Sequence, residues 1–405
     1  MNIQIAWRNI WRNKKRTAIT ISSVTLAVVL AIFMRSFQEG TYDIMVETAI
    51  GKFSGYVQVH QVDYWDDKTI DNGIVVNGQL IKQIENVKDV EETNLRIESF
   101  SLASYKKNTK GTMIMGIEPQ KEDEMLSLNP KMIKGEYFKA NDHSIILGSE
   151  LAKYLDIDVG DTLVLMGQGH WGQSAINAYP VKGIIKMPSP IIDKQIVFMP
   201  LLLAENYFSF ENGVTSIVVK FDDPSRTHEI TQAINATIDT TQYKAMAWQQ
   251  MSPEIVQQIE GDKAGGILMI AILYMIIAFG VFGTVLMMAE ERKREFAVMI
   301  SIGMQKTKLM VISFYEAMLM NLIGVAFGII LTIPIVYYYN VNPIELTGEM
   351  AESMVQFGIE PVLPTLLSFN IFLNNTLVII IITGIAAIYP LLSILKMNVI
   401  KSLRN

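Results

Sequence analysis

Apolar and polar positions are unevenly distributed along the chain, in four long apolar runs and one long mixed region. Thr17 to Met34 holds eighteen residues without a charge, Ile267 to Ala289 twenty-three, and Thr376 to Leu395 twenty. At 1.5 Å per residue each is long enough to cross roughly 30 Å of hydrocarbon. A fourth run, Leu309 to Tyr339, carries one acid, Glu316, near its start, with Asn321 and a kink expected at Pro334. Four spans are predicted. The first is expected to be retained rather than cleaved, because its apolar stretch exceeds a signal peptide's and lacks a small-x-small cleavage site.

Basic residues orient these spans. Arg8, Arg12, Lys14, Lys15 and Arg16 precede the first; Arg292, Lys293, Arg294, Lys306 and Lys308 lie between the second and third; Lys396, Lys401 and Arg404 follow the fourth. The segment 340–375 has Glu345, Glu349, Glu352 and Glu360 but no Lys or Arg. Both termini are therefore expected in the cytoplasm, with the long region between spans one and two outside. Arg35 is the exception on the outer side, and Glu39 stands one helical turn away as its partner.

The long outer region reads as mixed α/β. Tyr56 to His60 and Lys110 to Gly116 alternate as strands, with Met113 and Met115 on one face; Ile145 to Leu147 and Thr162 to Met166 add two more. Leu80 to Ile84 reads as a helix, Ser149 as the cap of a helix over Glu150 to Leu155, and Asp223-Pro224 as the start of one running towards Ile238. Trp248, Met251, Ile255 and Ile259 recur at helical spacing into the second span, while Phe37, Met45, Ala49 and Ile50 continue the first outward, so two stalks are expected.

Composition agrees with a membrane protein: 50% of the 405 residues are hydrophobic and only 18% charged, against about 25% in soluble domains. A net charge of −6 and 9% aromatics give no nucleic-acid groove. Zero cysteines exclude disulfides, thiol nucleophiles and thiolate zinc sites. The histidines, His60, His143, His170 and His228, are scattered and read as surface or loop residues. Gly167-Gln-Gly-His-Trp-Gly172 is a literal GxGxxG, but Gln173 to Ala178 is turn-like and a strand follows at Tyr179 to Ile185, so a hairpin tip is expected. Gly111 to Gly116 has P-loop spacing with Ile117-Glu118 where Lys-Ser/Thr is needed. The 24 methionines, Met287-Met288 among them, read as adaptable packing. No nucleophile-base set appears, so no enzyme activity is expected of this chain.

Between spans two and three, Glu290 to Met304 is charged at the front and amphipathic behind, with Phe296, Met299, Ile300 and Gly303 on one apolar stripe. It is either an interfacial helix on lipid or a knob that docks into a partner. In span three, Gly324 and Gly328 form a small-xxx-small pattern that lets another helix approach closely.

Glu291-Arg292-x-x-Glu295-Phe296-Ala-x-x-x-Ser-x-Gly303 resembles the coupling-helix signature of the FtsX-like ABC permeases, ERxxEIGxxxAxG. Ala6-Trp-Arg-Asn-Ile-Trp-Arg-Asn-Lys-Lys-Arg-Thr17 is similar to that family's amphipathic lead-in, and Ile146-Leu-Gly-Ser-Glu-Leu-Ala-Lys-Tyr-Leu-x-x-x-Val-Gly-Asp161 to its MacB-like outer domain. Tyr389-Pro390 to Leu403-Arg404 resembles the closing YPA…PxxALR, with Leu391 for Ala and Val399 for Pro.

The resemblance implies a type VII ABC transporter, an α-helical membrane protein with four transmembrane helices and a large extracytoplasmic mixed α/β domain between the first two. Its implied organisation is an amphipathic helix at 1–16, first span and stalk at 17–50, MacB-like domain at 51–247, stalk and second span at 248–289, coupling helix at 290–308, third span at 309–339, outer loop at 340–370, fourth span at 371–395 and cytoplasmic tail at 396–405. Two permeases would work with two cytoplasmic ATPases, which would bind ATP and Mg; no cofactor or metal is expected in this chain. Glu291, Arg292, Glu295, Phe296, Met299, Ile300 and Gly303 would contact the ATPase, with Phe296 and Met299 inserted into its groove. A four-span permease of this design resembles the lipoprotein-releasing LolC/LolE type of the bacterial inner membrane, whose substrates are lipid-anchored proteins passed to a soluble carrier. Ile32, Phe33 and Phe37 on span one, opposite Leu268, Ile272 and Met275 on span two, would then line a cavity for acyl chains in contact with membrane lipids. A MacB-like efflux permease and an FtsX-like regulator of cell-wall hydrolases are the alternatives.

Overall fold

The computed structural model describes residues 2–12, 14–356 and 361–396. They form two compact units, one drawn from residues 2–43, 258–345 and 362–396, the other from residues 44–257, 346–356 and 361.

The first unit is helical. An amphipathic helix, Asn2–Arg12, precedes the first long helix, Lys14–Val46, which runs on into a π-helical segment, Glu47–Ser54. The others are Pro253–Glu291, Lys306–Val341 and Phe369–Leu395, and all four are long and apolar enough to cross a membrane. These are the four spans. The third stays helical through Pro334 and the fourth through position 390. Val24, Val28, Ala31, Ile32, Val281, Val285, Leu309, Val325 and Ile379 form the core of the bundle. At one end of the bundle, residues 362–368 fold back over the ends of spans one and three: Thr365 Oγ1 donates to the Val336 carbonyl at 2.7 Å, and Ser36 Oγ donates to that of Leu366. Gly40 is required there, since a Cβ would lie 2.7 Å from the Pro364 carbonyl oxygen.

The second unit is built on a ten-stranded sheet, counted among the described residues. Its strands are β1 (Val57–Gln61), β2 (Glu92–Tyr105), β3 (Asn108–Ile117), β4 (Met132–Gly135), β5 (Ile145–Gly148), β6 (Thr162–Gln168), β7 (Ser174–Ile185), β8 (Ile196–Pro200), β9 (Ser216–Lys220) and β10 (Tyr243–Ala247). The long strand β2 pairs with β3 along one edge; its other edge is shared, residues 92–96 with β9 and residues 101–104 with β6. Because β6 also pairs with β7, β7 with β5, β5 with β8 and β8 with β3, six strands close into a ring around Ile97, Ile114, Leu147, Leu163, Leu165 and Val197. Closure removes the free edges of these strands. Beyond the ring, β10, β1 and β9 carry helices Gly78–Glu85 and Thr227–Thr237 over a second core that includes Val59, Leu80, Ile84, Ile217, Ile230 and Ile234.

Several local expectations are corrected. Position 149 is the first helical residue, and its hydroxyl donates to Asp193, as do the backbone N–H groups of Ser149 and Glu150 at 3.0 Å. A carboxylate remote in sequence thus does the capping. The Gly167–Gly172 stretch ends β6 and turns the β6–β7 hairpin, but β7 starts at Ser174 rather than Tyr179, because pairing with β6 carries residues 174–178 into the ladder. His60 is neither a surface nor a loop residue: it lies buried on β1, stacked on Tyr64 at 5.0 Å, with its Nδ1–H donated to the Thr215 carbonyl at 2.9 Å.

Candidate functional site

The segment between spans two and three supplies the site. Span two ends at Glu291, Arg292 leaves helical geometry at φ −91°, ψ 2°, and a short helix runs over Lys293–Ser301. It closes at Gly303, whose φ of 104° suits a glycine, with the Gly303 N–H donated to the Ile300 carbonyl and that of Met304 to the Met299 carbonyl, each at 3.0 Å.

Ion pairs hold this turn, Arg292 itself reaching Glu295 at 3.4 Å. The Arg292 guanidinium is buried and donates to Glu316 of span three at 2.5 Å. Arg12, at the end of the amphipathic helix, donates to Glu295 at 2.5 Å, and both of those side chains are about half exposed. The amphipathic helix buries Ala6 and Ile10, with Ile10 packed on Met320. Ile3, Trp7 and Trp11, one turn apart, stay exposed. A groove of about 670 Å³ lies between the two short helices, with Ile5 and Asn9 on one wall and Glu295, Met299 and Met304 on the other.

The short helix has two faces. Phe296 and Ala297 are buried in the bundle, and Met299 and Ile300 are partly buried against it. Glu291, Lys293, Arg294, Glu295, Val298, Ile302 and Gly303 are exposed, Val298 at 43% and Ile302 at 81%. The expected insertion of Phe296 into a partner is thereby corrected, because its ring already fills a site in its own bundle. Arg292 is likewise turned inward. Periodicity identifies an apolar stripe, and the stripe faces the spans; the outward apolar positions, Val298 and Ile302, stand one turn apart, with the Ile302 N–H donated to the Val298 carbonyl at 3.1 Å, and two apolar residues on a face shared with Lys293, Arg294 and Glu295 do not read as a stripe.

The expected cavity residues do not form one surface. Ile32 is fully buried among the spans, so it faces the bundle and not a cavity. Phe33 is half-buried, stacked on Phe37 at 6.4 Å and edge-on to Tyr339 at 5.9 Å. Leu268, Ile272 and Met275 are 57–68% exposed on span two. In span three, Gly324 and Gly328 receive Val24 and Val28 of span one: a Cβ on either glycine would approach the valine Cβ to 2.8 and 2.5 Å. The small-xxx-small pattern is used within the chain. Of the expected basic tail only Lys396 is described; Val399, Lys401 and Arg404 lie outside the described residues.

In the second unit, Arg96 on β2 is fully buried, donating to both carboxylate oxygens of Glu122 and to the Phe53 carbonyl at 2.7 Å. Burial works against its charge, but Glu122 and Glu98 more than offset this and hold the guanidinium above its ordinary pKa. The end of the π-helical segment is thus bonded to the middle of the sheet.

The chain is an ABC transporter permease of the FtsX-like and MacB-like family. The model of the MacB-like periplasmic core domain matches residues 17–237, more than half the chain, and that of the FtsX-like permease C-terminal region matches residues 267–399. Among its relatives, the lipoprotein-releasing system transmembrane protein LolC of Xylella fastidiosa (strain 9a5c) is 23% identical over 73% of each chain. The corresponding LolE of Haemophilus influenzae is 20% identical over 63% of this chain and 62% of that one. The macrolide export ATP-binding/permease protein MacB of Nitrobacter winogradskyi is 22% identical over 79% of this chain and 50% of that one.

Proposed function

We propose that this chain is the permease subunit of a complex in which a separate cytoplasmic ATPase pair, binding ATP and Mg, drives extraction of lipoproteins from the outer leaflet of the inner membrane. The observation that carries the coupling role is the two-faced short helix. Its inner face is locked to span three through Arg292–Glu316, so a push on Val298 and Ile302 moves the spans rather than the helix alone. The termini and Gly303 lie on the cytoplasmic side, supported by Lys14, Lys15, Lys293, Arg294, Lys306 and Lys308 gathering at one end of the spans and Glu345, Glu349 and Glu352 at the other. Helices 14–54 and 253–291 run without a loop from the spans into the outer domain, and Arg96 fastens the end of the first of them to the sheet, so rigid-body motion has a covalent path outward.

Lipoproteins are favoured as substrate by the relatives named for lipoprotein release and by the exposed ridge of Leu268, Ile272 and Met275, an apolar surface at the level an acyl chain reaches. A second permease, identical or paralogous, would complete the transporter, and a soluble carrier would receive the cargo. The second reading, export of a drug, peptide or toxin, is favoured by the likeness to MacB. Photo-crosslinkers at Met275 and Phe33 in the loaded complex separate the two. Capture of a lipid-anchored protein supports release, and capture of phospholipid alone overturns it.

A further inference from the structure

A second cleft, of about 880 Å³, lies at the basic end of the bundle, between the start of span one and the last three turns of span two. Its rim carries Arg12, Lys14 and Lys15, with Glu291 the one acid among its lining residues. Arg12 is engaged by Glu295, whereas neither Lys14 nor Lys15 has an acidic partner among the described residues. The floor is apolar: Ile19 from span one, and Phe279, Gly280, Gly283 and Met287 from span two. Gly280 and Gly283 leave it open, since a Cβ at either position would meet nothing within 4 Å.

The two chemistries meet at the boundary of the membrane. Lys14 and Lys15 stand just before Thr17, where the apolar run of span one begins, and Met287 lies within the last turn of the apolar run of span two. Whatever fills the cleft must be anionic at the level of the headgroups and apolar for a turn or more below it. Ile19, Phe279 and Met287 are each more than 60% exposed, so the floor opens sideways, towards the acyl chains of the bilayer. A free anion would find the rim but leave this floor uncovered. An apolar molecule would cover the floor and leave the lysines unmatched.

From this charge and polarity match we infer that the cleft is a binding site for one anionic phospholipid, its headgroup phosphate on Lys14 and Lys15 and one acyl chain along Ile19, Phe279 and the two glycines. Only the name of the leaflet, cytoplasmic, rests on the orientation proposed above. The bound lipid would fill the space between the start of span one and the end of span two, beside the Arg12–Glu295 pair, so the charge of the membrane would bear on the position of the short helix.

The test uses the full chain in its complex, purified in mild detergent from membranes containing phosphatidylglycerol and phosphatidylethanolamine, with retained lipid counted by native mass spectrometry. Wild type should retain phosphatidylglycerol in preference to phosphatidylethanolamine, and added inorganic phosphate should not displace it. Lys14→Gln with Lys15→Gln should lower retention roughly thirtyfold, two charges near the surface being lost. Gly283→Leu, which fills the floor and leaves every charge in place, should lower it as well. Unchanged retention in either variant, no preference for the anionic lipid, or displacement by inorganic phosphate would each overturn the assignment. Cysteine labelling at Gly303 reports orientation separately, so a misassigned leaflet is distinguished from an absent site.

Discussion

Arg292 and Glu316 meet at 2.5 Å with 6% of each side chain exposed, a buried ion pair between the turn after span two and the body of span three. Removing one partner of such a pair leaves the other charge uncompensated, at a cost on the order of 3–5 kcal/mol, whereas replacing both with apolar residues of similar volume is often neutral. Glu316→Ala should therefore lower the Tm of the solubilised protein markedly, and Arg292→Met with Glu316→Leu should recover most of it. The double variant should still be uncoupled if the pair transmits force, which ATPase stimulation by substrate would read. A double variant as unstable as the single one would contradict this account.

Two substitutions in the short helix should fail in different ways. Phe296→Ala empties a packed site in the bundle, a loss on the order of 3–5 kcal/mol, and should lower the Tm of the permease alone. Ile302→Asp removes nothing from the core, because Ile302 is 81% exposed, and should leave that Tm unchanged while abolishing co-purification of the ATPase. Retained ATPase with Ile302→Asp would place the docking face elsewhere.

At Gly328 the nearest atom to an added Cβ is the Val28 Cβ at 2.5 Å, a branch point that cannot rotate away. Gly328→Ala should push spans one and three apart and cost about 1–3 kcal/mol, the usual range for overpacking. Moving the small residue to the other helix, Val28→Gly with Gly328→Ala, should recover part of the loss in the same thermal assay.

Burial lowers the pKa of His60 from 6.5 to about 4. The folded domain therefore holds the imidazole neutral while the unfolded chain takes up a proton below pH 6.5, so the unfolded state binds more protons between pH 6.5 and 4. Stability from this group is fully present above pH 6.5 and is lost as pH falls towards 4, by about 3 kcal/mol in all. His60→Gln should flatten that part of the Tm profile. An unchanged slope would assign it to other groups.

The sequence by itself determined the four spans, the charge asymmetry across them, most local elements of the outer domain and the signature around Glu291 to Gly303, because each is written in adjacent residues: an uncharged run of twenty, an alternation, a turn dipeptide, a motif. What only the tertiary structure decided is which neighbour each face meets. Periodicity placed Phe296, Met299 and Ile300 on one stripe, but a stripe has the same spacing whether it faces a partner or its own bundle. In a span such as Thr17 to Met34 nearly every position is apolar, so no period separated buried Ile32 from exposed Leu30. Gly324 and Gly328 announced a close approach without naming Val24 and Val28, three hundred residues earlier. The same holds for the pairings Arg292–Glu316, Asp193 with Ser149 and Arg96–Glu122, and for the closure of β2 on β6, since charge and hydrogen-bond partners are chosen by distance in space, which only packing brings about.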